Sequence, residues 1–362
     1  MVKEEEILIV ASRVRNPISG RFKVLRNWAK GLNSRLVVTN SSFEHSDLTA
    51  VSNGVEIDII EIEEIGEALQ SYNPRYVFTD DRDFNIVRKF KDRRIISYIY
   101  PIHGLWGMPG LSAANIVGWQ DRLKVWTYRR LPHINLRSRY RQLESVSSLV
   151  IAQSNNAAGI LRYYYGINPS LVLYNPVDRT LFKPLHSIED KMNSNEITIF
   201  LGSNNGDTDL KLIKSVARAA KRSGFTLNMF GYEKNLQYAI DIYENSHYFK
   251  KVTDQKLAEI LSRSRLVVLP QLDEPASYVG IEAISCGTPV MSNYVDESII
   301  VGTTGYVANG EAFINIFDRL NKNGIDREIY ENTSLHAVNF DTERESKVLR
   351  SYLKKMDGDV SS

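Results

Sequence analysis

Two rhythms of apolar and polar positions alternate along the chain. Short apolar runs recur between longer stretches in which apolar residues return every third or fourth position, the spacing of one helix face. In the first half the runs are Ile7–Ala11, Arg35–Thr39, Glu56–Ile60, Tyr76–Thr79, Ile95–Tyr100 and Leu149–Ala152. Runs that are apolar at successive positions suit strands buried on both faces, and the helical stretches between them supply crossovers. The pattern therefore predicts a parallel sheet covered by helices. A strand leading to Ser154, a helix as far as Gly166 and a strand ending at Asn175 close this half, and a polar stretch, Ser187–Glu196, reads as linker.

The second half repeats the rhythm. Strands are predicted at Ile197–Gly202, Thr226–Phe230, Phe249–Val252 and Leu266–Leu269, and a helix at Leu210–Ala220. Thr253 or Asp254 caps a further helix carrying Leu257, Ile260 and Leu261. The last helix, Thr342–Met356, has Val348, Leu349, Tyr352 and Leu353 on one side, and a frayed tail follows it. Two sheets of this kind divide the 362 residues into two domains of ordinary size.

One stretch, 266–291, carries the clearest chemistry. The run Leu266–Leu269 ends at Pro270, and a loop holds Asp273, Glu274 and Pro275. Helical spacing resumes with Val279, Ile281, Ala283 and Ile284 until Gly287 stops it, and Pro289 opens the next strand. Glu274 and Glu282 bracket the helix start, where the amides of Ser277, Tyr278, Val279 and Gly280 are candidate anion donors. A carboxylate accepts from two neighbouring hydroxyls, as acidic residues do for ribose in dinucleotide folds. The grouping suits a ligand with hydroxyls at both ends and a diphosphate between them, which is a nucleotide-sugar.

Glu274-Pro275, Glu282-Ala283 and Cys286-Gly287-Thr288-Pro289-Val290 resemble the Glu-x7-Glu signature and its tail in retaining glycosyltransferases of family 4. The resemblance implies the GT-B fold: α/β, two Rossmann-like domains with parallel sheets facing a central cleft, and a C-terminal helix crossing back to the first domain. The domains would be 1–176 for the acceptor, 177–340 for the donor, and 341–362 for the returning helix. It implies transfer of a hexose from a UDP- or GDP-sugar to a hydroxyl with retention, the leaving phosphate taking the acceptor proton. Glu282 would hold ribose, Glu274 a sugar hydroxyl, the helix start the phosphates, and the turn Val252–Asp254 the base. His103, in YPIHGLWGMPG, stands where the family places a histidine at the reaction centre, and Trp106 nearby is a candidate sugar platform. Ser19 and Gly20 are what remains of the glycine-rich loop after the first strand, and Gly20 alternatively opens the next helix. Pro176 stands where the family has glycine in the hinge.

The chain departs from the family at LGSNNGDTDLK. Ser203 occupies the place of an arginine, and no lysine precedes Lys211. A departing diphosphate needs cations or dense amide donation. Asn204, Asn205 and Gly206 forming a nest, or Lys211 or Arg179 reaching in, would supply it. A protein without them would bind a nucleotide-sugar and turn it over weakly or not at all.

Asp80, Asp81 and Asp83 are spaced for a metal, but they fall in the half expected to bind acceptor, and Asp-rich turns cap helices. No metal or other cofactor is expected. Residues 119–141 interleave Arg122, Lys124, Arg129, Arg130, Arg137, Arg139 and Arg141 with Trp119, Trp126, Tyr128 and Tyr140. A solvated helix face, a membrane surface or anionic acceptor, and nucleic acid are the readings. A net charge of only +2 speaks against nucleic acid. One cysteine, Cys286, leaves no internal disulfide, and no apolar run has the length of a membrane span. With an acidic N-terminus these features predict a cytoplasmic protein, membrane-associated if at all on the cytoplasmic face. An epimerase or hydrolase on the same fold and a non-catalytic sugar binder are the rival functions.

Overall fold

The computed structural model describes residues 6–12, 19–39, 52–61, 64–81, 93–99, 132–202, 208–250, 252–271, 277–293, 297–308 and 311–358, with side chains of the helix at 132–146 from residue 137 onward. Thirteen described strands are β1 (Ile7–Ser12), β2 (Leu36–Thr39), β3 (Ile57–Ile60), β4 (Tyr76–Asp80), β5 (Arg94–Ile99), β6 (Leu149–Ala152), β7 (Leu171–Val172), β8 (Glu196–Phe200), β9 (Thr226–Phe230), β10 (Ser246–Phe249), β11 (Leu266–Leu269), β12 (Val290–Ser292) and β13 (Gly305–Val307). They form two parallel sheets. The first has the order β3-β2-β1-β4-β5-β6-β7 and the second β10-β9-β8-β11-β12-β13. In each sheet the chain builds outward in one direction for three strands and then returns to the other side of the first, so each has one switch point: β1/β4 and β8/β11.

The described helices are α1 (Gly20–Leu32), α2 (Ile65–Tyr72), α3 (Pro132–Val146), α4 (Asn155–Ile160, continued by a π turn to Tyr165), α5 (Ile188–Asn193), α6 (Leu210–Ser223), α7 (Gln237–Ile240), α8 (Asp254–Arg263), α9 (Tyr278–Ser285), α10 (Glu311–Asn323), α11 (Arg327–His336) and α12 (Thr342–Gly358). The described residues of 1–101, 133–178 and 339–362 make one compact unit, and those of 179–338 belong to the other.

In the first unit Trp28 of α1 packs its fully buried ring 5.5 Å from Phe78 and 5.8 Å from Tyr98, joining helix to sheet. The last helix, α12, belongs to this unit as the fold expects. A Cβ on Gly31 would lie 2.8 Å from the carbonyl of Thr342, so only glycine lets α1 and α12 approach this closely. Arg350 donates to the carbonyl of Leu32, and Asp357 accepts from Tyr76 Oη at 2.7 Å and pairs with Arg75. The strand-like bridge of Val177 with Asp341 brings the two crossing segments together: Val177 N donates to Phe340 O at 2.8 Å and Thr342 N to Val177 O at 3.1 Å.

The second unit buries Ile199, Val268, Ile213, Val216, Phe313 and Phe317 between sheet and helices. Two sequence expectations change here. The strand predicted at Phe249–Val252 is β10, Ser246–Phe249, three residues earlier. It lies at the edge of the sheet and is only half-buried, so its Ser-His-Tyr sequence lacked the apolar run that marks interior strands. The stretch read as linker contains α5, started by a capping box in which Ser187 and Asp190 exchange side-chain and backbone hydrogen bonds.

Candidate functional site

The switch point of the second sheet assembles most of the donor-side residues picked from the sequence. Strands β8 and β11 are hydrogen-bonded neighbours, paired as Thr198 with Val267 and Ile199 with Val268, and their carboxyl ends lead into the segments holding Ser203 and Asn204 on one side and Glu274 on the other. Those three residues lie outside the described residues, as do His103, Trp106, Asn205, Gly206, Asp83 and most of the basic stretch.

The described framework around the switch point is polar and ordered by hydrogen bonds. Thr208 and Gln271 form an antiparallel bridge across it, and Asp209 N donates to Pro270 O at 2.7 Å. Thr208 Oγ1 donates to Leu201 O at 3.3 Å, and Ser292 Oγ to Leu269 O at 3.1 Å.

Two helices start at this edge, and their first turns differ. At α6, the Asp209 carboxylate accepts from the amides of Lys211 and Leu212 at 3.0 and 3.1 Å and from Asn293 Nδ2 at 3.4 Å. That helix start is filled by its own anion. Its sequence signal is an acidic residue directly before the helical run, which marks an N-cap. Lys211, one position into the helix, is exposed at the same edge.

At α9 the cap is neutral. Ser277 Oγ accepts from Gly280 N at 3.4 Å and the Ser277 carbonyl from Ile281 N at 3.0 Å. The amide of Val279 meets no acceptor among the described residues, and it stands at the positive end of the helix macrodipole. Of the four candidate amides, that of Gly280 is already used. Gly280 also packs: a Cβ there would lie 2.5 Å from Ser298 Oγ and 3.1 Å from Leu269 Cδ1. Its lack of a side chain is what lets α9 sit down on β11.

Glu282, one turn further on, is fully buried. On an ordinary amphipathic helix a glutamate carboxylate is solvated, which this one is not. A wholly buried carboxylate costs several kcal/mol unless it is well partnered, and such groups are concentrated at functional sites. Behind it the C-terminal end of α9 is closed by a lysine. Lys191, buried on α5, donates to the carbonyl of Cys286 and, at 3.2 Å, to Thr288 Oγ1. Burial pushes the Lys191 ammonium down to about 8 and the Cys286 thiol up to about 12.

Val252 is half-buried between β10 and the first turn of α8, and Thr253 is the residue that caps it, accepting from Lys256 N at 3.2 Å. The predicted base-reading turn thus lies at the carboxyl end of the edge strand. In the other unit Ser19 is the N-cap of α1, accepting from Phe22 N at 3.4 Å, and Gly20 opens the helix. Asp80 is fully buried and held by the Arg21 guanidinium, with Nη2 to Oδ1 at 2.9 Å, while Asp81 accepts from Tyr140 Oη at 3.3 Å. Both carboxylates have protein partners, and among the described residues no group of three His, Cys, Asp or Glu side chains is placed to hold a metal. No described helix is long and apolar enough to cross a membrane.

Residues 197–323 match the family model described as glycosyl transferases group 1, a stretch that runs from β8 through α10 and contains the whole switch point. No curated protein matches the chain. Among solved structures, HepE of Anabaena in complex with UDP superposes with a TM-score of 0.70 at 15% identity, over 97% of this chain and 100% of that one. Sucrose-phosphate synthase of Thermosynechococcus elongatus gives 0.71 at 14% identity, over 97% and 99%. A glycosyltransferase of Rickettsia africae gives 0.66 at 14%, over 96% and 97%.

Proposed function

We propose that this chain, with its GT-B fold and its match to the group 1 glycosyl transferases over 197–323, is a glycosyltransferase that moves a hexose from a UDP- or GDP-sugar to a hydroxyl with retention of configuration. The observation that carries the reading is the full burial of Glu282 one turn from the start of α9, at the β8/β11 switch point and inside the matched stretch. That HepE was solved with UDP favours a uridine donor.

In this reading the first turn of α9, Ser277 to Gly280, receives the diphosphate, with Val279 N–H as a donor and the exposed Lys211 as a cation from the α6 start. Glu282 accepts from the ribose hydroxyls. Glu274 and Glu282 form the Glu-x7-Glu pair, with Glu274 on a sugar hydroxyl and Val252 beside the base. Ser203 and Asn204 flank the phosphates, while His103, Trp106, Ser19 and Gly20 belong to the acceptor side. The bond between the anomeric carbon and the phosphate oxygen breaks, the acceptor oxygen bonds to that carbon on the same face, and the departing phosphate takes its proton. No metal takes part. The acceptor is a glycan, a lipid or a small molecule, and the protein works in the cytoplasm, with residues 119–141 as its contact to a membrane surface.

One observation favours a second reading, a nucleotide-sugar binder of weak or absent turnover. The Asp209 carboxylate sits in the α6 start where a diphosphate would draw on amides, and like charges there repel. A thermal-shift panel of UDP-, GDP- and ADP-sugars tests binding, because a ligand specific to the native state raises apparent stability. The expected result is one preferred donor whose shift vanishes in Glu282→Ala. An unchanged shift removes Glu282 from the site, and a shift without transfer of labelled sugar selects the second reading.

A further inference from the structure

Helix α3 carries two arginines that have no partner among the described residues. Arg137 and Arg141 stand one turn apart, both exposed, and neither has a hydrogen bond or ion pair with any described residue. Several other arginines of this unit have protein partners. Arg139, between them, donates to the Asp81 carbonyl at 2.6 Å, Arg21 holds Asp80, and Arg35 pairs with Asp58 at 3.1 Å. Like charges at this spacing destabilise a helix by a few tenths of a kcal/mol, and no ion pair with a described carboxylate offsets them.

The two guanidiniums point into one space. The position that a Cβ on Gly166 would occupy is 3.6 Å from Arg137 Nη2 and 3.8 Å from Arg141 Nη2. Gly166 has φ 68°, the left-handed conformation that ends the π turn after α4, and leaves that position empty. The arginines, with Ser138, Gln142 and Ser145, line a recess of about 550 Å³. Its described walls offer guanidinium forks, hydroxyls and an amide, the donor set that matches phosphate oxygens, and include no described acid. Tyr163 and Tyr164 are exposed on the adjoining π turn, their rings 4.9 Å apart, with exposed Arg162 beside them.

We propose that Arg137 and Arg141 form a binding site for a phosphate group on the first unit, separate from the donor residues of the second. The phosphate belongs to a soluble phosphorylated compound or to a lipid headgroup. The chemistry is the same in both cases: two forks closing on one anion.

The test uses the whole chain and two probes, inorganic pyrophosphate in solution and vesicles of equal parts phosphatidylglycerol and phosphatidylcholine. The wild type binds one of them saturably, and Arg137→Gln/Arg141→Gln weakens that binding at least tenfold at unchanged thermal stability. Arg137→Lys/Arg141→Lys, which keeps the charge and loses the forks, falls in between. Pyrophosphate binding assigns a soluble ligand. Binding to vesicles alone, lowered further by Tyr163→Ala, assigns a headgroup. Glu282→Ala leaves the arginine-dependent binding intact, so the outcome is independent of the donor reading. Equal binding by the wild type and the Gln pair overturns the proposal, as does binding to neither probe. A Gln pair that loses stability but no binding assigns the arginines to the helix end instead and overturns it equally.

Discussion

Lys191 donates its buried ammonium to Thr288 Oγ1, 3.2 Å away, and to the carbonyl of Cys286, so a lysine from a stretch that reads as linker closes the C-terminal end of the helix carrying Glu282. A cation at a helix C-terminus meets the negative end of the macrodipole and the last unpaired carbonyls. Replacing it by Met keeps the length and leaves Cys286 O without its donor. Lys191→Met is expected to lower stability by about 1–3 kcal/mol near neutral pH. The sign of the pH dependence is a second check. The folded value, about 8, lies below the ordinary 10.5, so the unfolded chain binds more protons between the two and wild-type stability from this group rises across that window. Denaturant titrations at both ends of the window should show the wild type gaining on Lys191→Met. Parallel curves would show that the ammonium is not held as described.

Gly280 and Ser298 are coupled through space. A methyl on Gly280 would fall 2.5 Å from Ser298 Oγ and 3.3 Å from its Cβ, and overpacking of this kind costs about 1–3 kcal/mol. Gly280→Ala should destabilise the chain by that amount and weaken the donor shift, because α9 must lift from β11. Ser298→Ala removes the nearest atom. In a double-mutant cycle it should recover part of the loss, with a coupling above about 0.5 kcal/mol. Strict additivity would mean that the helix start does not rest on Ser298.

How much of this was legible follows from what each signal encodes. Interior strands such as Leu266–Leu269 declare themselves because both faces are buried and the run is wholly apolar, whereas the edge strand Ser246–Phe249 is half-wet and shows no run. The helix holding Glu282 was visible as apolar spacing ending at Gly287. Its dependence on Lys191 was not, because that contact joins residues 95 positions apart. The helix at 188–193 had a readable signal in the Ser187-Asp190 capping box, masked by its polar composition. Asp209 likewise had the pattern of an N-cap. The motif marks Gly280 as an anion-binding amide, while its packing against Ser298 comes from a segment eighteen residues away that no local pattern connects.

The Cys286 thiol, fully buried with its Sγ 3.7 Å from the Ala258 carbonyl, is pushed by burial up to about 12. At pH 8 it is therefore neutral and inaccessible, and the thiolate is the reactive form. The native chain should not react with a disulfide reagent such as DTNB on a scale of minutes, and should release one equivalent on unfolding. The slow native rate should fall further with the preferred donor, since the ligand lowers the population of open states. Prompt labelling of the native chain would contradict the packing of α9 against α8.

Glu345 provides the clearest pH handle at the returning helix. It is buried on α12, accepts from Tyr174 N at 2.8 Å and pairs with Arg344 at 3.2 Å, yet burial outweighs both and raises its carboxyl to about 7. The unfolded value is near 4.5, so between 4.5 and 7 the folded chain holds the proton that the unfolded chain has lost. The stabilisation is complete below 4.5 and is lost as pH rises through about 7, a total on the order of 3 kcal/mol. Glu345→Gln keeps an acceptor for the Tyr174 amide and cannot ionise. Its stability relative to the wild type should be flat below pH 4.5, climb between 4.5 and 7, and level off above, leaving the variant the more stable protein at pH 8. Equilibrium unfolding of both proteins across that range measures the difference directly, and cancels every other titrating group they share. A difference that stays constant from pH 4 to 8 would place the Glu345 carboxylate in water and detach α12 from the segment at Tyr174.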